Sequence, residues 1–406
     1  MPVDDLWYSS KRDKGPDGKL LPPKKTQRHG RGKRWRVRYT DPDGQAKQRL
    51  FERKPDAERF DANVRADVSR GQYVDPAGGR TTVAQYAEIW RAQQLHRDST
   101  SERTERVLRL HVLPMLGRLQ LTQVRASHLK SWVLDRAAVL APSTLSVVYN
   151  GTVVPLFSAA VADRLIGLSP CVGVRLPEVE DSAYHIATAE QVHALADALP
   201  ERYRAIPYVS AGLGWRAGEV FGVELDAVDF LRREAHVRQQ LKVLARRRPF
   251  LALPKTKTSK RTNELPESVS LPLARHLEQF KPVEVEVDDE TDPRRPRRRK
   301  AKLLFTNEAR EPIHAASWSH TWSAAVRKVG LPAGFGLRDL RHYFATVLIF
   351  GGSNVKTVQL AMGHTTPTIT LNTYVGYWPD ALDRTRNLVD SALAQGPNAP
   401  GLVVAK

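Results

Sequence analysis

The chain has almost no cysteine: Cys171 is the single one in 406 residues. One thiol forms no internal disulfide scaffold and supplies no cysteine-rich zinc site. Long apolar runs are also lacking. No stretch approaches the ~18 apolar residues that read as a membrane span. The N-terminal MPVDDLWYSSKRDKG lacks the apolar core of a secretory signal. Acidic residues are in deficit, with 44 Asp/Glu against 63 Lys/Arg, a formal net charge of +19 and a pI near 10.1. An apolar share of 41% still supports real cores, so this is not a disordered polycation. The length predicts two or three domains at roughly 100–200 residues each. What remains is a soluble, cytosolic, multidomain protein with a polyanionic partner. Nucleic acid comes before an anionic membrane surface.

The charge is uneven. Residues 1–40 hold twelve Lys/Arg against four Asp, a net of +8. Residues 11–32, rich in Gly, Pro and Lys, read as a mobile arm. Next, Trp35, Val37 and Tyr39 alternate with Arg34, Arg36 and Arg38, which is strand periodicity with a basic face. Asp41-Pro42-Asp43-Gly44 reads as a turn, Gln48 to Phe51 as the returning strand, and Pro55 to Arg70 as a helix. Two readings stand for this sheet: a solvated arginine face, or a sheet laid in a DNA groove with Arg34, Arg36 and Arg38 on phosphates or base edges. At 284–302, six acids are followed by seven cations with punctuating prolines, which reads as a solvated insertion loop.

The rest is mainly helical. Four helices are expected between 81 and 176: Thr82–Gln94, Arg103–Leu116, Ala126–Leu140 and Ser143–Ile166. In the second, the buried stripe is read as Val107, Leu108, His111, Val112 and Met115. Leu176-Pro177-Glu178-Val179-Glu180-Asp181 reads as a linker. A new domain opens at Thr188, where Thr188 and Gln191 fit a capping box. It continues with a helix to Leu213, strands at 234–239 and 249–253 with a return after Thr262, and helices at 315–329, 339–351, 355–362 and 366–374. The expected class is therefore multidomain and mainly α. It comprises a basic N-terminal sheet with a helix (1–75), a helical bundle (81–176), a linker (177–187), a mostly helical domain with one small antiparallel sheet (188–394) and a tail (395–406).

Four segments of the last domain carry reactive side chains: GLGWRAGE around Arg216 and Glu219, PKTKTSKR around Lys255 and Lys257, LRDLRHYFAT with Arg338, Arg341 and His342, and AMGH with His364, followed by Tyr374. Arg216 opens a helix whose N-terminus also favours an anion. Together they suit attack by an oxygen nucleophile on a phosphodiester. Two arginines clamp the non-bridging oxygens. A lysine donates a proton to the leaving oxygen, and a histidine bonds the phosphoryl group or the nucleophile. A tyrosine ester preserves the bond energy for resealing. No carboxylate cluster suits a two-metal nuclease, which favours chemistry without metal or cofactor.

At these residues the sequence resembles the tyrosine recombinase family, specifically the integrases of phages and integrative elements. The resemblance covers nearly the whole chain. GLGWRAGE, PKTKTSKR, LRDLRHYFAT, AMGH and TLNTY occur in the family's order. HVLPMLGRLQL, Ala141-Pro-Ser-Thr144 and LSPCVGVRLP resemble its helical core-binding (SAM-like) domain, and the basic N-terminal sheet its arm-type-site binding domain. The resemblance implies the DNA breaking-rejoining fold and the following roles. Arg216 and Arg341 clamp the phosphate, with Glu219 orienting Arg216. Lys255 is the general acid, with Lys257 a rival. His364 is the third-box histidine. Tyr374 is the nucleophile, a choice that Trp378-Pro379-Asp380 supports over Tyr377. His342 is read as a packing residue. Also implied are a C-shaped clamp round double-stranded attachment-site DNA, a homotetramer on two duplexes, a host DNA-bending factor, an excision factor, and a cytoplasmic, nucleoid-associated location. The apolar residues after Tyr374 are expected to dock on a neighbouring protomer. Deleting 384–406 should then weaken tetramers, and unchanged sizing would refute it.

One position departs from the pattern. The family usually has His-x-x-Arg in the second box, and here the histidine is Arg338. An arginine donates to a phosphate but cannot accept the tyrosine proton. General-base duty then falls to His364, to water or to nobody, and cleavage is expected to be slower or to peak at higher pH. An unchanged rate–pH profile in Arg338→His would sink this. Two alternatives remain: a type IB topoisomerase, which would relax plasmid lacking any specific site, and a catalytically impaired DNA-binding regulator, which would form no covalent adduct.

Overall fold

The computed structural model describes residues 3–11, 13–14, 19–42, 44–70, 73, 80–95, 98–179, 185–244 and 247–374. Tyr377, Trp378-Pro379-Asp380, the tail and most of the 180–187 part of the linker therefore lie outside the described residues. The chain divides into two compact units, Met1–Asp181 and Ser182–Lys406.

Unit 1 begins with an antiparallel sheet in the order β1 (Val3–Asp5), β2 (Trp35–Thr40), β3 (Ala46–Phe51). The alternation in β2 places Val37 and Tyr39 inward, where they meet Ala57 and Val64 of α1 (Lys54–Ser69). β1 was not expected, and it pins part of what was read as a mobile arm. Leu6 N–H donates to the Arg34 carbonyl, and Ser9 N–H to that of Lys24, both at 2.8 Å, while Thr26 N–H donates to Trp7 at 2.9 Å. Proline and glycine density registered the missing regular structure there, not the backbone pairing.

A separate core in unit 1 is built by α2 (Val83–Gln93), α3 (Asp98–Val107), α4 (Leu113–Leu116), α5 (Ala126–Ala137), α6 (Pro142–Val148) and α7 (Val154–Ala162). α3 runs into α4 through a π-turn, Leu108–Val112, and α6 into α7 through another, Tyr149–Val153. Each π-turn lies just before a proline, Pro114 or Pro155, whose missing N–H removes an i→i−4 bond. The wider turn advances the helix phase by one residue. The buried stripe therefore runs Leu108, Val112, Leu116, and the expected Met115 is 40% exposed. The His111 carbonyl, near the end of the first π-turn, accepts from Trp132 Nε1 at 2.6 Å. Pro142–Ala162 is a 21-residue helix apolar enough to span a membrane by length and composition, contrary to the expectation that no such run exists. Its Leu145, Val148, Val153, Leu156, Phe157 and Ala160 fill the bundle core instead.

Unit 2 is organised round α9 (Ala205–Leu213), almost wholly buried and apolar on every face. α8 (Ala189–Ala198) precedes it with the expected capping box: Thr188 Oγ1 accepts from Gln191 N–H at 3.3 Å. α10 (Ala217–Phe221) follows. The sheet is not single. β4 (Val228–Asp229), β5 (Glu234–Val237) and β8 (Arg261–Glu264) form one antiparallel sheet. β6 (Gln240–Lys242), β7 (Phe250–Ala252), β9 (Val285–Glu290) and β10 (Arg297–Ala301) form another, in which β7 and β9 run parallel. α11 (Glu267–Gln279), α12 (Ala315–Val329), α13 (Leu337–Phe350), α14 (Val355–Met362) and α15 (Pro367–Tyr374) complete the unit.

The expected insertion loop is thus the β9–β10 hairpin. The acidic block forms one strand and the basic block its antiparallel partner, so opposite charges fall in register: Asp288 with Arg298, Asp289 with Arg297, Glu286 with Lys300. Val285, Val287 and Ala301 turn inward. Arg299 bridges Asp289 and Glu224, each at 2.6 Å. Burial pushes the Asp289 carboxyl up, but hydrogen bonds from Thr291 and the Arg299 guanidinium outweigh it and hold the pKa at about 2.

Candidate active site

Segments far apart in the sequence converge on one cavity of about 520 Å³, and Arg216, Lys255, Arg338, Arg341, His364 and Tyr374 all line it. Each arrives by a local device. α9 ends on Gly214 at φ +63°, and a Cβ there would lie 2.3 Å from Phe344 Cδ1, so the turn into Trp215-Arg216 requires glycine. Trp215 anchors the turn through Nε1, which donates to Asn263 Oδ1 at 3.0 Å.

Arg216 caps α10, but that five-residue helix offers no free anion site, because Glu219 already accepts from the Arg216 backbone N–H at 3.1 Å. Glu219 also accepts from Arg216 Nη1 at 2.8 Å and from Arg261 Nη2 at 3.0 Å. It is 3% exposed. Burial alone would raise its carboxyl, yet Arg261 and then Arg216 hold it below the usual range. Arg261 is itself buried and donates to the carbonyls of Ala361 at 2.9 Å and Ser259 at 3.0 Å. Lys255 lies on the exposed loop after β7 and lines the cavity. Lys257, on the adjoining short turn Lys257–Ser259, does not.

Helix α13 starts where Gly336 N–H donates to Asp339 Oδ2 at 2.8 Å. Arg338, Arg341 and His342 then share a face at i, i+3 and i+4. Arg341 is 6% exposed, and its guanidinium donates to the carbonyls of Gly214 and Met362, tying the ends of α9 and α14 together. Burial, then Arg216 and Arg261, draw its pKa down to about 9, so it stays charged at neutral pH. α14 ends on Gly363 at φ +61°, which delivers His364 to the cavity. His364 Nδ1 lies 2.8 Å from the Thr370 hydroxyl. Burial and three arginines, Arg341 first, lower it to about 4, so it is neutral at pH 7. Tyr374 is 1% exposed among Ala345, Ile349, Val358 and Met362, and its hydroxyl lies 2.6 Å from His342 Nδ1.

Comparison with known proteins identifies the arrangement. The sequence profile described as the phage integrase family matches residues 186–377. A tyrosine recombinase XerC-like protein of Caldanaerobacter subterraneus is 26% identical over 57% of this chain, and the match spans only 61% of that relative. A putative prophage phiRv2 integrase of Mycobacterium tuberculosis is 24% identical over 82% of this chain and 86% of its own length. The fold of the Tn1549 transposon integrase, solved in complex with a circular intermediate DNA, matches with a TM-score of 0.66 at 22% identity, covering 77% of this chain and 99% of that one. Residues 186–377 carry a phage integrase family domain, and the chain is similar to tyrosine recombinases along most of its length.

Three features of the chain were not legible in the sequence. Arg34 forms a two-nitrogen fork on Asp5, with Nη2 at 2.8 Å, and stacks over Trp35 at 4.8 Å. Arg36 and Arg38 both reach Asp4 at 3.0 Å. The arginines expected on DNA are thus engaged by β1 acids, a pairing hidden because β1 was not recognised. Of the three only Arg38 is mostly exposed, at 60%. Sequence reasoning also missed Arg261 as the second partner of Glu219. The signal was present, since Arg261 is the first residue of a strand beside a buried acid. His342, read as packing, bonds the tyrosine hydroxyl instead.

Proposed function

We propose that the chain is a site-specific DNA recombinase that integrates or excises a mobile element through a 3′-phosphotyrosyl intermediate. The observation that carries this is the single cavity where Arg216, Lys255, Arg341, His364 and Tyr374 meet. In this reading Arg216 and Arg341 bind the non-bridging oxygens of the scissile phosphate and neutralise charge gained in the transition state. Glu219 orients Arg216. Lys255 protonates the leaving 5′ oxygen, a role its place in the cavity wall favours over Lys257. His364 donates to the phosphoryl group, and Arg338 adds a further donor in place of the family's histidine. A 5′ hydroxyl from a partner duplex then attacks the tyrosyl ester, so strands are exchanged without nucleotide cofactor or metal.

Double-stranded attachment-site DNA is the partner, with four protomers on two duplexes at the nucleoid and with a DNA-bending factor and an excision factor as accessories. Residues 1–75 take arm-type sites, 81–176 the core site, 177–187 join them to the catalytic domain at 188–394, and 395–406 form the tail. The test is a denaturation-resistant protein–DNA adduct that Tyr374→Phe abolishes. No adduct would leave the regulator reading, and relaxation of plasmid lacking the site would favour the topoisomerase.

A further inference from the structure

Attack by Tyr374 requires a destination for its proton, because a phenol of pKa about 10 is almost wholly protonated at neutral pH. Arg338 stands where the family's histidine would be, and a guanidinium has no lone pair to offer. His364 directs its Nδ1 to Thr370, at 2.8 Å. His342 Nδ1 lies 2.6 Å from the Tyr374 hydroxyl, with the rings edge-on at 5.4 Å. Both are buried, at 6% and 1% exposure. We propose that His342 accepts the Tyr374 proton during strand cleavage, the duty that Arg338 cannot perform. This rests on the recombinase reading above.

Three observations converge on it. The first is reach: 2.6 Å is hydrogen-bond distance, established before any substrate arrives. The second is protonation state. Burial first, then Arg338 and Arg341, pull His342 down to about 4 against the opposing Asp339. The imidazole is therefore neutral, and with Nε2 protonated its Nδ1 lone pair points at the phenol. The charged and titratable groups round it are Arg338, Asp339 and Arg341 on its own helix, Tyr374 on α15 and His364 after α14. The third is the helix face. Thr346, one turn further along α13, is buried with a hydroxyl oxygen that makes no hydrogen bond, which leaves an unused acceptor one helical turn from His342.

The step balances. As the bond from the Tyr374 oxygen to phosphorus forms, the phenolic proton passes to His342 Nδ1 and the imidazole becomes imidazolium. The bond from phosphorus to the 5′ oxygen breaks, and that oxygen takes a proton from the Lys255 ammonium. Rejoining reverses both transfers. A base this weak accepts little in the free protein. The phosphate anion held by Arg216 and Arg341 offsets the cations that depress it, so its basicity rises when substrate is bound.

The test uses the full chain and a nicked oligonucleotide duplex copied from the end of the element that encodes it. Adduct formation is timed from pH 5 to 10. His342→Gln should slow it about 10²–10³-fold at pH 7. The deficit should close towards pH 10 as the phenol ionises unaided, with retention of the duplex in a gel unchanged. His342→Asn, which keeps a polar atom near the Nδ1 position, should behave alike and guards against a folding defect of one variant. A rate within threefold of wild type overturns the proposal, as does a deficit equal at pH 7 and pH 9.5, which marks a packing role. A wild-type chain that forms no Tyr374-dependent adduct overturns the recombinase reading and this one together, whereas an adduct indifferent to His342 overturns this one alone.

Discussion

Arg261 and Arg216 grip the same carboxylate, yet the structure gives them opposite responses to removal. Arg261→Met takes away the buried partner of Glu219 and two donors to main-chain carbonyls, at 2.9 and 3.0 Å. Breaking a buried pair from one side costs about 3–5 kcal/mol, because the remaining charge stays desolvated. For a unit of 150–250 residues that lowers the melting temperature by about 6–20 °C, at about 2–4 °C per kcal/mol. Arg216 has a side chain 38% exposed, and its loss leaves Glu219 paired with Arg261. Arg216→Met should therefore cost only about 1 kcal/mol. For chemistry the order inverts. In the recombinase reading Arg216→Met removes one donor to the transition-state phosphate and should reduce adduct formation by about 10²–10³-fold or more. Arg261→Met, assayed well below its own melting temperature, should stay within about tenfold of wild type on the same scale. Calorimetry and a timed adduct assay on both variants decide. If Arg216→Met melts as low as Arg261→Met, or Arg261→Met is the less active enzyme, the division of labour round Glu219 is wrong.

The remaining expectations follow from single contacts. Gly363→Ala forces a Cβ to 3.0 Å from the Thr258 carbonyl at φ +61°, and should lower stability by about 1–2 kcal/mol and slow cleavage by shifting the Lys255 loop, read by thermal unfolding and the adduct assay. The Asp289 carboxyl has a folded pKa of about 2 against an ordinary 3.8, so its contribution is full above pH 3.8 and is lost as pH falls through 2. Asp289→Asn should remove about 2 kcal/mol at pH 7 and flatten the acid limb of stability between pH 4 and 2 in denaturant titrations. Asp4→Asn releases Arg36 and Arg38, and should tighten non-specific duplex binding at low salt and steepen the slope of log K against log salt by about 1. An unchanged slope would place those arginines away from DNA.

The site was legible because its chemistry is carried by residue types with few substitutes, set beside glycines whose backbone geometry is equally restrictive. Gly214 before Arg216 and Gly363 before His364 are both left-handed, so the motif records the turn as well as the side chain. Legibility failed where the deciding interaction lay far away in sequence. β1 reads as three unremarkable residues until Asp4 and Asp5 meet Arg36 and Arg34. The 284–302 blocks look like solvated charge until antiparallel register sets one against the other. The stripe through α3 and α4 was read at a constant 3.6 residues per turn, and Pro114 broke that assumption. α11 escaped notice with Pro272 inside it, although Val269, Leu273 and His276 keep the helical spacing.

The charge that opens the sequence takes a specific meaning at the cavity. Glu219 is 3% exposed and neutralises Arg216 and Arg261 only in part. Arg338, Arg341 and Lys255 add to the excess. The cost of that excess is visible in its neighbours: His342 and His364 are both driven to about 4, with Arg338 or Arg341 the largest cause after burial. In the recombinase reading a scissile phosphate supplies the compensating anion. Its arrival lowers the local potential and raises both histidines towards their ordinary range near 6.5. In that reading the charge that binds DNA also keeps both histidines weakly basic until the phosphate is bound. Mutating one cavity arginine to a neutral residue should then move the acid limb of cleavage to higher pH as well as weaken the clamp. A limb unmoved in Arg338→Gln would show that burial alone sets the histidines.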